Sequence, residues 1–231
     1  MKETLAILFI VTSQALMPGT DEQTGVWLEE LTTPYYAFVD EGYTVEIASV
    51  SGGDIPIDPR SLSEDAKQEE SVKRYFEDEA LQALVKNTTS ADNVDIHKYD
   101  AVFFPGGHGT MWDYPENEGL AKIIRTALSL DKPVASVCHG PAVLIGVETA
   151  DGAPLVRGRR VSAFTDSEEV AVGLDEKVPF LLESRLRELG AEIVKTDDFQ
   201  PIATVDGLLV TGQNPASAEP VAKEVIKLLK K

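Results

Sequence analysis

The segment Pro133-Val134-Ala135-Ser136-Val137-Cys138-His139-Gly140-Pro141-Ala142 reads as a buried strand that stops at a Cys-His pair, after which Gly140 and Pro141 open an apolar helical stretch over Ala142–Val147. A strand running directly into a helix is half of a βαβ unit, and the chain on both sides repeats that theme. Strands are expected at Leu5–Val11, Thr44–Val50, Ala101–Phe104, Pro133–Val137, Ala191–Lys195 and Leu208–Thr211. Between them, apolar residues recur with helical spacing. The clearest cases are Leu120, Ile123, Ile124, Ala127 and Leu128 in Gly119–Leu130, Phe180 to Leu189 in Val178–Leu189, and Val221, Val225, Ile226 and Leu229 in Ala216–Leu229. Val26–Asp40 predicts a helix interrupted at Pro34, Ser61–Lys86 two short helices over the sheet edge, and Leu155–Val161 a small hairpin around Arg157-Gly158-Arg159. This alternation predicts an α/β fold with an open, mostly parallel sheet, helices on both faces and one small added hairpin. With no repeat, linker or low-complexity tract, residues 1–231 are expected to form a single domain.

Composition narrows the function. The chain carries 39 acidic against 21 basic residues, a formal net charge of −18, which argues against nucleic acid because phosphate contacts need clustered Lys and Arg. The first apolar run, Leu5–Val11, is too short to span a membrane, and the early Glu3 does not suit a secretion signal. One cysteine permits no internal disulfide and suits a reducing compartment, so a cytoplasmic protein without a membrane or nucleic-acid partner is expected.

Open parallel sheets place ligands at the carboxyl ends of their strands, where Cys138 falls. A lone cysteine is otherwise a small core hydrophobe, but a core strand has no reason to end in Cys-His-Gly. A strand-to-helix turn exposes a nucleophile, and a helix N-terminus lowers a thiol pKa. A second turn, Phe103-Phe104-Pro105-Gly106-Gly107-His108-Gly109-Thr110, brings glycines whose amides can approach an oxyanion. His139 is the nearest candidate base or thiolate partner for the sulfur, His108 can either contact substrate or simply fill the glycine turn, and His97 lies in a polar stretch. Three scattered histidines and one cysteine make no zinc pattern, so neither metal nor cofactor is expected.

These turns resemble the ThiJ/PfpI superfamily, a flavodoxin-like group related to class I glutamine amidotransferases, and most closely its branch of heat-shock chaperones and glutathione-independent glyoxalases (glyoxalase III). The resemblance is carried by Thr24-Gly25-Val26-Trp27-Leu28-Glu29-Glu30, Pro105–Asp113, Ala135–Ala142, Phe164-Thr165-Asp166-Ser167-Glu168-Glu169 and Leu209–Ser217. It implies Cys138 as nucleophile, His139 as its histidine, Glu169 as the triad acid and Glu30 as the carboxylic acid that touches the sulfur, with Glu168 and Glu29 as rivals by register. The backbones of Gly107 and His139 would donate to an oxyanion. The implied reaction converts a small 2-oxoaldehyde such as methylglyoxal to a 2-hydroxy acid, with His139 or Glu30 moving the proton. The amidotransferase reaction lacks its base, since no histidine follows His139. Alternatives are a stress chaperone holding unfolded client proteins, a cysteine redox sensor, a protein deglycase or a peptidase. A homodimer is expected from the same resemblance.

Overall fold

The structure, a computed structural model, describes residues 4–231. The nine strands of the described residues are β1 (Ala6–Val11), β2 (Thr44–Ser49), β3 (Thr89–Ser90), β4 (Ala101–Phe104), β5 (Val134–Val137), β6 (Arg160–Val161), β7 (Glu192–Ile193), β8 (Ala203–Asp206) and β9 (Leu209–Gly212). Seven form one sheet in the order β3-β2-β1-β4-β5-β9-β8, with every neighbouring pair parallel except β8 and β9. Without the two-residue edge strand β3 and the antiparallel β8, the order is β2-β1-β4-β5-β9, which is the flavodoxin arrangement. The direction of winding reverses between β1 and β4, and the crevice at that reversal is where such folds bind ligands.

Alternation along β1 explains the two-sided core. Ile7, Phe9 and Val11 join one buried cluster, and Leu8 and Ile10 join the other, because successive strand residues point to opposite faces. The first face is covered by α1 (Leu28–Asp40), α2 (Glu70–Glu77), α3 (Glu79–Lys86) and α8 (Ala218–Leu229), which supply Leu31, Phe38, Val72, Leu81, Val221 and Val225. The second is covered by α5 (Glu118–Ser129) and α7 (Leu182–Glu188), which supply Leu120, Ile124 and Leu186. Two short helices, α4 (Thr110–Asp113) and α6 (Asp166–Ala171), flank the strand ends. Pro34 lies inside α1 without dividing it. Among the described residues, no helix is long and apolar enough to cross a membrane.

Three local expectations need correction. Leu155–Val161 is not a hairpin: Leu155 and Val156 turn inward to the core, and only Arg160–Val161 is a strand. The chain reversal sits earlier, at Asp151-Gly152, where Glu148 bridges Pro154 antiparallel and Gly152 takes a φ of 78°. The strand predicted over Ala191–Lys195 reduces to Glu192–Ile193 and pairs in parallel with β6 outside the main sheet. The helical stretch after Cys138 is a five-residue 3-10 turn, Gly140–Leu144, too tight and short to present a full helix dipole. Strand β8 was not expected, although Val205-Asp206-Gly207-Leu208 carries an Asp-Gly turn signal and Gly207 adopts a φ of 61°.

Candidate active site

The strand β5 ends in a forced turn. Cys138 has a φ of 61°, a left-handed conformation that non-glycine residues seldom adopt and that costs on the order of 1–2 kcal/mol. Its backbone N–H donates to Gly212 O at 3.0 Å, and its carbonyl accepts from Phe164 N at 2.9 Å, so both neighbouring segments hold the strain in place. The turn also needs its glycines. A Cβ on Gly140 would lie 2.4 Å from the Phe104 carbonyl oxygen. One on Gly106 would lie 2.5 Å from Val137 O and 2.6 Å from a Glu30 carboxyl oxygen. The loops after β4 and β5 therefore touch backbone to backbone, one strand over from the topological switch between β1 and β4.

Side chains from four segments converge there. Cys138 Sγ lies 3.3 Å from His139 Nδ1, and His139 Nε2 lies 2.6 Å from Glu169 Oε2. The adjacency of Cys138 and His139 works because the left-handed residue breaks the strand alternation that would otherwise send the two side chains to opposite faces. Glu169 stands on the first turn of α6, and its other oxygen, Oε1, lies 2.6 Å from His108 Nε2. One buried carboxylate thus joins two imidazoles whose ring centroids are 4.0 Å apart, and Phe164 stacks on His139 at 4.4 Å. The bond between His108 and Glu169 was not foreseen, since nothing in the linear sequence links residues so far apart.

The rival carboxylates separate cleanly. Glu168 does not reach His139: fully buried, it closes a capping box with Thr165 and accepts from Phe199 N, Gln213 Nε2 and Asn214 Nδ2. Glu30, on the first turn of α1, is completely buried beside the Cys138 thiol and accepts from Gly106 N at 2.7 Å through Oε2. Its Oε1 has no regular hydrogen-bond partner. Glu29 is only partly buried, and burial followed by the neighbouring charge of Glu69 pushes its carboxyl up to about 7.

Electrostatics here run partly against the sequence expectation. Burial pushes the Glu30 carboxyl well above the usual carboxylate range, which favours its protonated form. Burial, followed by the acids around it, pushes the Cys138 thiol up as well rather than down. The resting sulfur is therefore a thiol, and His139 Nδ1 is the acceptor for its proton. Glu169 is buried too, but the two imidazoles and their hydrogen bonds outweigh that and hold its carboxyl well below the usual range. Burial, reinforced by His139, pushes His108 down to about 4.

A raised carboxyl pKa has a stability consequence. Unfolded Glu30 ionises above about pH 4.3, whereas the folded group holds its proton to higher pH, so its contribution to stability falls as pH rises, by about 1.4 kcal/mol per unit until the folded value is reached. Glu30→Gln keeps the neutral shape without that penalty. Its melting temperature is expected to exceed that of the parent by more at pH 8 than at pH 5, and an advantage equal at both pH values would contradict a neutral Glu30.

His108 Nε2, His139 Nε2 and Glu169 lie within 4.8 Å of one another, a ligand-type grouping that the sequence, read as having scattered histidines, did not reveal. The separations of 2.6 Å between each imidazole and the carboxylate suit shared protons, since ligands around a tetrahedral ion at ordinary bond lengths stand about 3.3 Å apart. Beside Cys138 opens a cavity of about 240 Å³, walled by Trp27, Phe164, Val172, Phe199 and Pro215, with the Arg60 guanidinium also in its lining. Among the described residues, the backbone amides of Gly107 and His139 donate to no protein acceptor.

A buried Cys-His-Glu arrangement on a left-handed turn of a flavodoxin-like sheet defines a class of cysteine-centred α/β proteins, and the comparisons name it: the chain belongs to the DJ-1/PfpI family, whose model matches residues 23–228. It is 32% identical over 216 residues to "Glyoxalase 3" of Candida albicans, covering 89% of each chain, and 32% identical to "Glutathione-independent glyoxalase HSP31" of Saccharomyces cerevisiae, covering 90% of each. Among solved structures, the Rapid Encystment Protein of Francisella tularensis superposes with a TM-score of 0.93 at 37% identity, covering 98% of this chain and 99% of that one.

Proposed function

We propose that this chain is a glutathione-independent glyoxalase that converts methylglyoxal, or a related 2-oxoaldehyde, to the 2-hydroxy acid. The observation that carries the reading is the buried Cys138–His139–Glu169 chain opening on a small apolar cavity, in a protein about one-third identical to proteins of that name. Cys138 gives its proton to His139 and attacks the aldehyde carbon to form a hemithioacetal. Glu169 orients His139 and stabilises the imidazolium. The amides of Gly107 and His139 receive the developing oxyanion, and Glu30, a neutral acid beside the sulfur, supplies a proton without opposing the attack electrostatically. After proton transfer between the two carbons, water cleaves the thioester and frees lactate and the thiol.

Purified protein with methylglyoxal and no glutathione should consume substrate and form lactate. Cys138→Ala should lose at least about 10³-fold in turnover, the scale expected when a nucleophile is removed. Equal rates for the two proteins would reject the nucleophilic role.

A second reading, a stress chaperone, is supported by exposed Val172 and Phe199, which line the cavity, with exposed Val170 nearby in sequence. Client holding through that surface would survive Cys138→Ala. Oxidation sensing ranks lower, because a desolvated thiol pushed upward in pKa lacks the exposed thiolate such sensing uses. A cytoplasmic homodimer acting on free aldehydes, with protein deglycation as an extension, completes the proposal, and sedimentation would report the dimer.

A further inference from the structure

Four buried side-chain polar atoms lack a partner of regular geometry among the described residues, and three of them, Trp27 Nε1, Glu30 Oε1 (on the carboxyl that meets the Cys138 thiol) and His108 Nδ1, belong to residues around Cys138. Buried polar atoms are normally paired, so a cluster of exceptions marks where something else is meant to bind. His108 is the most informative of the three. Its Nε2 is committed to Glu169 Oε1 at 2.6 Å, and an ionised carboxylate can only accept, so the proton of neutral His108 sits on Nε2. That leaves Nδ1 as a bare lone pair on a ring that lines the cavity.

The glyoxalase reaction needs a base that the residues discussed so far do not supply. His139 Nδ1 faces the sulfur and takes the thiol proton. Glu30 accepts from Gly106 N through Oε2, and burial raises its carboxyl, which favours an acid over a base there. Resting on the glyoxalase reading, we propose that His108 Nδ1 carries the substrate proton from the aldehyde carbon to the neighbouring carbon. The hemithioacetal S–CH(OH)–C(=O)–CH3 loses its C1 proton to Nδ1. The C1–H electron pair becomes the C1=C2 double bond, and the C2 carbonyl pair moves onto its oxygen. In the resulting enediolate the C1 hydroxyl gives its proton to the C2 oxygen as C1=O forms, and Nδ1–H returns its proton to C2. The product is the lactyl thioester S–C(=O)–CH(OH)–CH3: C1 is oxidised, C2 is reduced, and no external oxidant is used. Glu169 accepts from both imidazoles and so couples the two bases, holding each imidazolium in turn. Burial keeps His108 unprotonated throughout the physiological range, so its lone pair is always available.

His108→Gln tests this directly, because the glutamine amide can reproduce the donor at Nε2 while removing the base at Nδ1. Turnover of methylglyoxal is expected to fall about 10²- to 10⁴-fold, the usual contribution of a positioned base. The rate of Cys138 alkylation by iodoacetamide, and its pH profile, should remain within about twofold of the parent, and the variant should hold a reversible methylglyoxal adduct that gives no hydroxamate with hydroxylamine. Turnover within about threefold of the parent would overturn the proposal. So would a matching loss of alkylation, which would make His108 a positioning residue acting through Glu169. A variant-free measurement stands behind these: aldehyde-deuterated methylglyoxal should leave part of its label at C2 of lactate made by the unaltered protein, since a buried carrier exchanges slowly. Complete washout would overturn the buried carrier. Absence of lactate from the unaltered protein would instead reject the glyoxalase reading itself.

Discussion

Glu169→Gln is expected to lower methylglyoxal turnover by about 10³- to 10⁴-fold while leaving the fold intact. Both oxygens of Glu169 accept, one from each imidazole, at 2.6 Å. Glutamine offers one oxygen and one NH2, so its NH2 would face an imidazole N–H, donor against donor. The nearer imidazole must then move its proton to Nδ1. If His139 changes, Nδ1 can no longer take the Cys138 proton, and iodoacetamide alkylation should slow together with turnover. If His108 changes, turnover alone should fall. Measuring both rates therefore tells which imidazole yields, and turnover within tenfold of the parent would remove Glu169 from the proposed mechanism.

The adjacent residue is expected to give the opposite result. Glu168→Ala should destabilise the protein by about 3–5 kcal/mol, because a buried carboxylate that satisfies several donors is lost together with its capping box. Its oxygens accept from the backbone and hydroxyl of Thr165, from Phe199 N, from Gln213 Nε2 and from Asn214 Nδ2, at 2.7 to 3.1 Å. Those donors tie α6 to the end of β9 and to the segment before β8, which together support Phe164, Phe199 and Pro215 of the cavity wall. Urea unfolding measures the loss. A change below about 1 kcal/mol would mean that solvent or neighbouring groups take over the donors. Two adjacent glutamates thus divide the labour, one holding the loops and the other serving the imidazoles.

Much of this architecture was written locally. The strands β1, β2, β4, β5 and β9 and the helices α5 and α8 follow from hydrophobic periodicity that needs no distant partner to be read. Cys138 and the glycine turns were visible as short motifs, and the family resemblance pointed to the acidic segments ending in Glu30 and Glu169. Where local signals were weak, the reading failed. The stretch Leu155–Val161 has a turn centre and apolar flanks, yet Leu155 and Val156 are drawn into the core, and the reversal forms at Asp151-Gly152. Glu192–Ile193 carries strand character, but its hydrogen-bonding partner is Arg160–Val161 rather than the main sheet.

Sequence by itself therefore determined five of the seven strands of the main sheet and the placement of the thiol at a strand's carboxyl end, and its family resemblance supplied a short roster of acids and histidines near it. Tertiary structure alone decided which of two neighbouring glutamates meets His139, brought His108 to the same carboxylate, and reversed the expected shift of the Cys138 thiol. The physical reason is range. Periodicity and turn chemistry act between residues a few positions apart, whereas desolvation and hydrogen-bond pairing depend on which segments, 30 to 108 residues apart here, the packed sheet brings into contact.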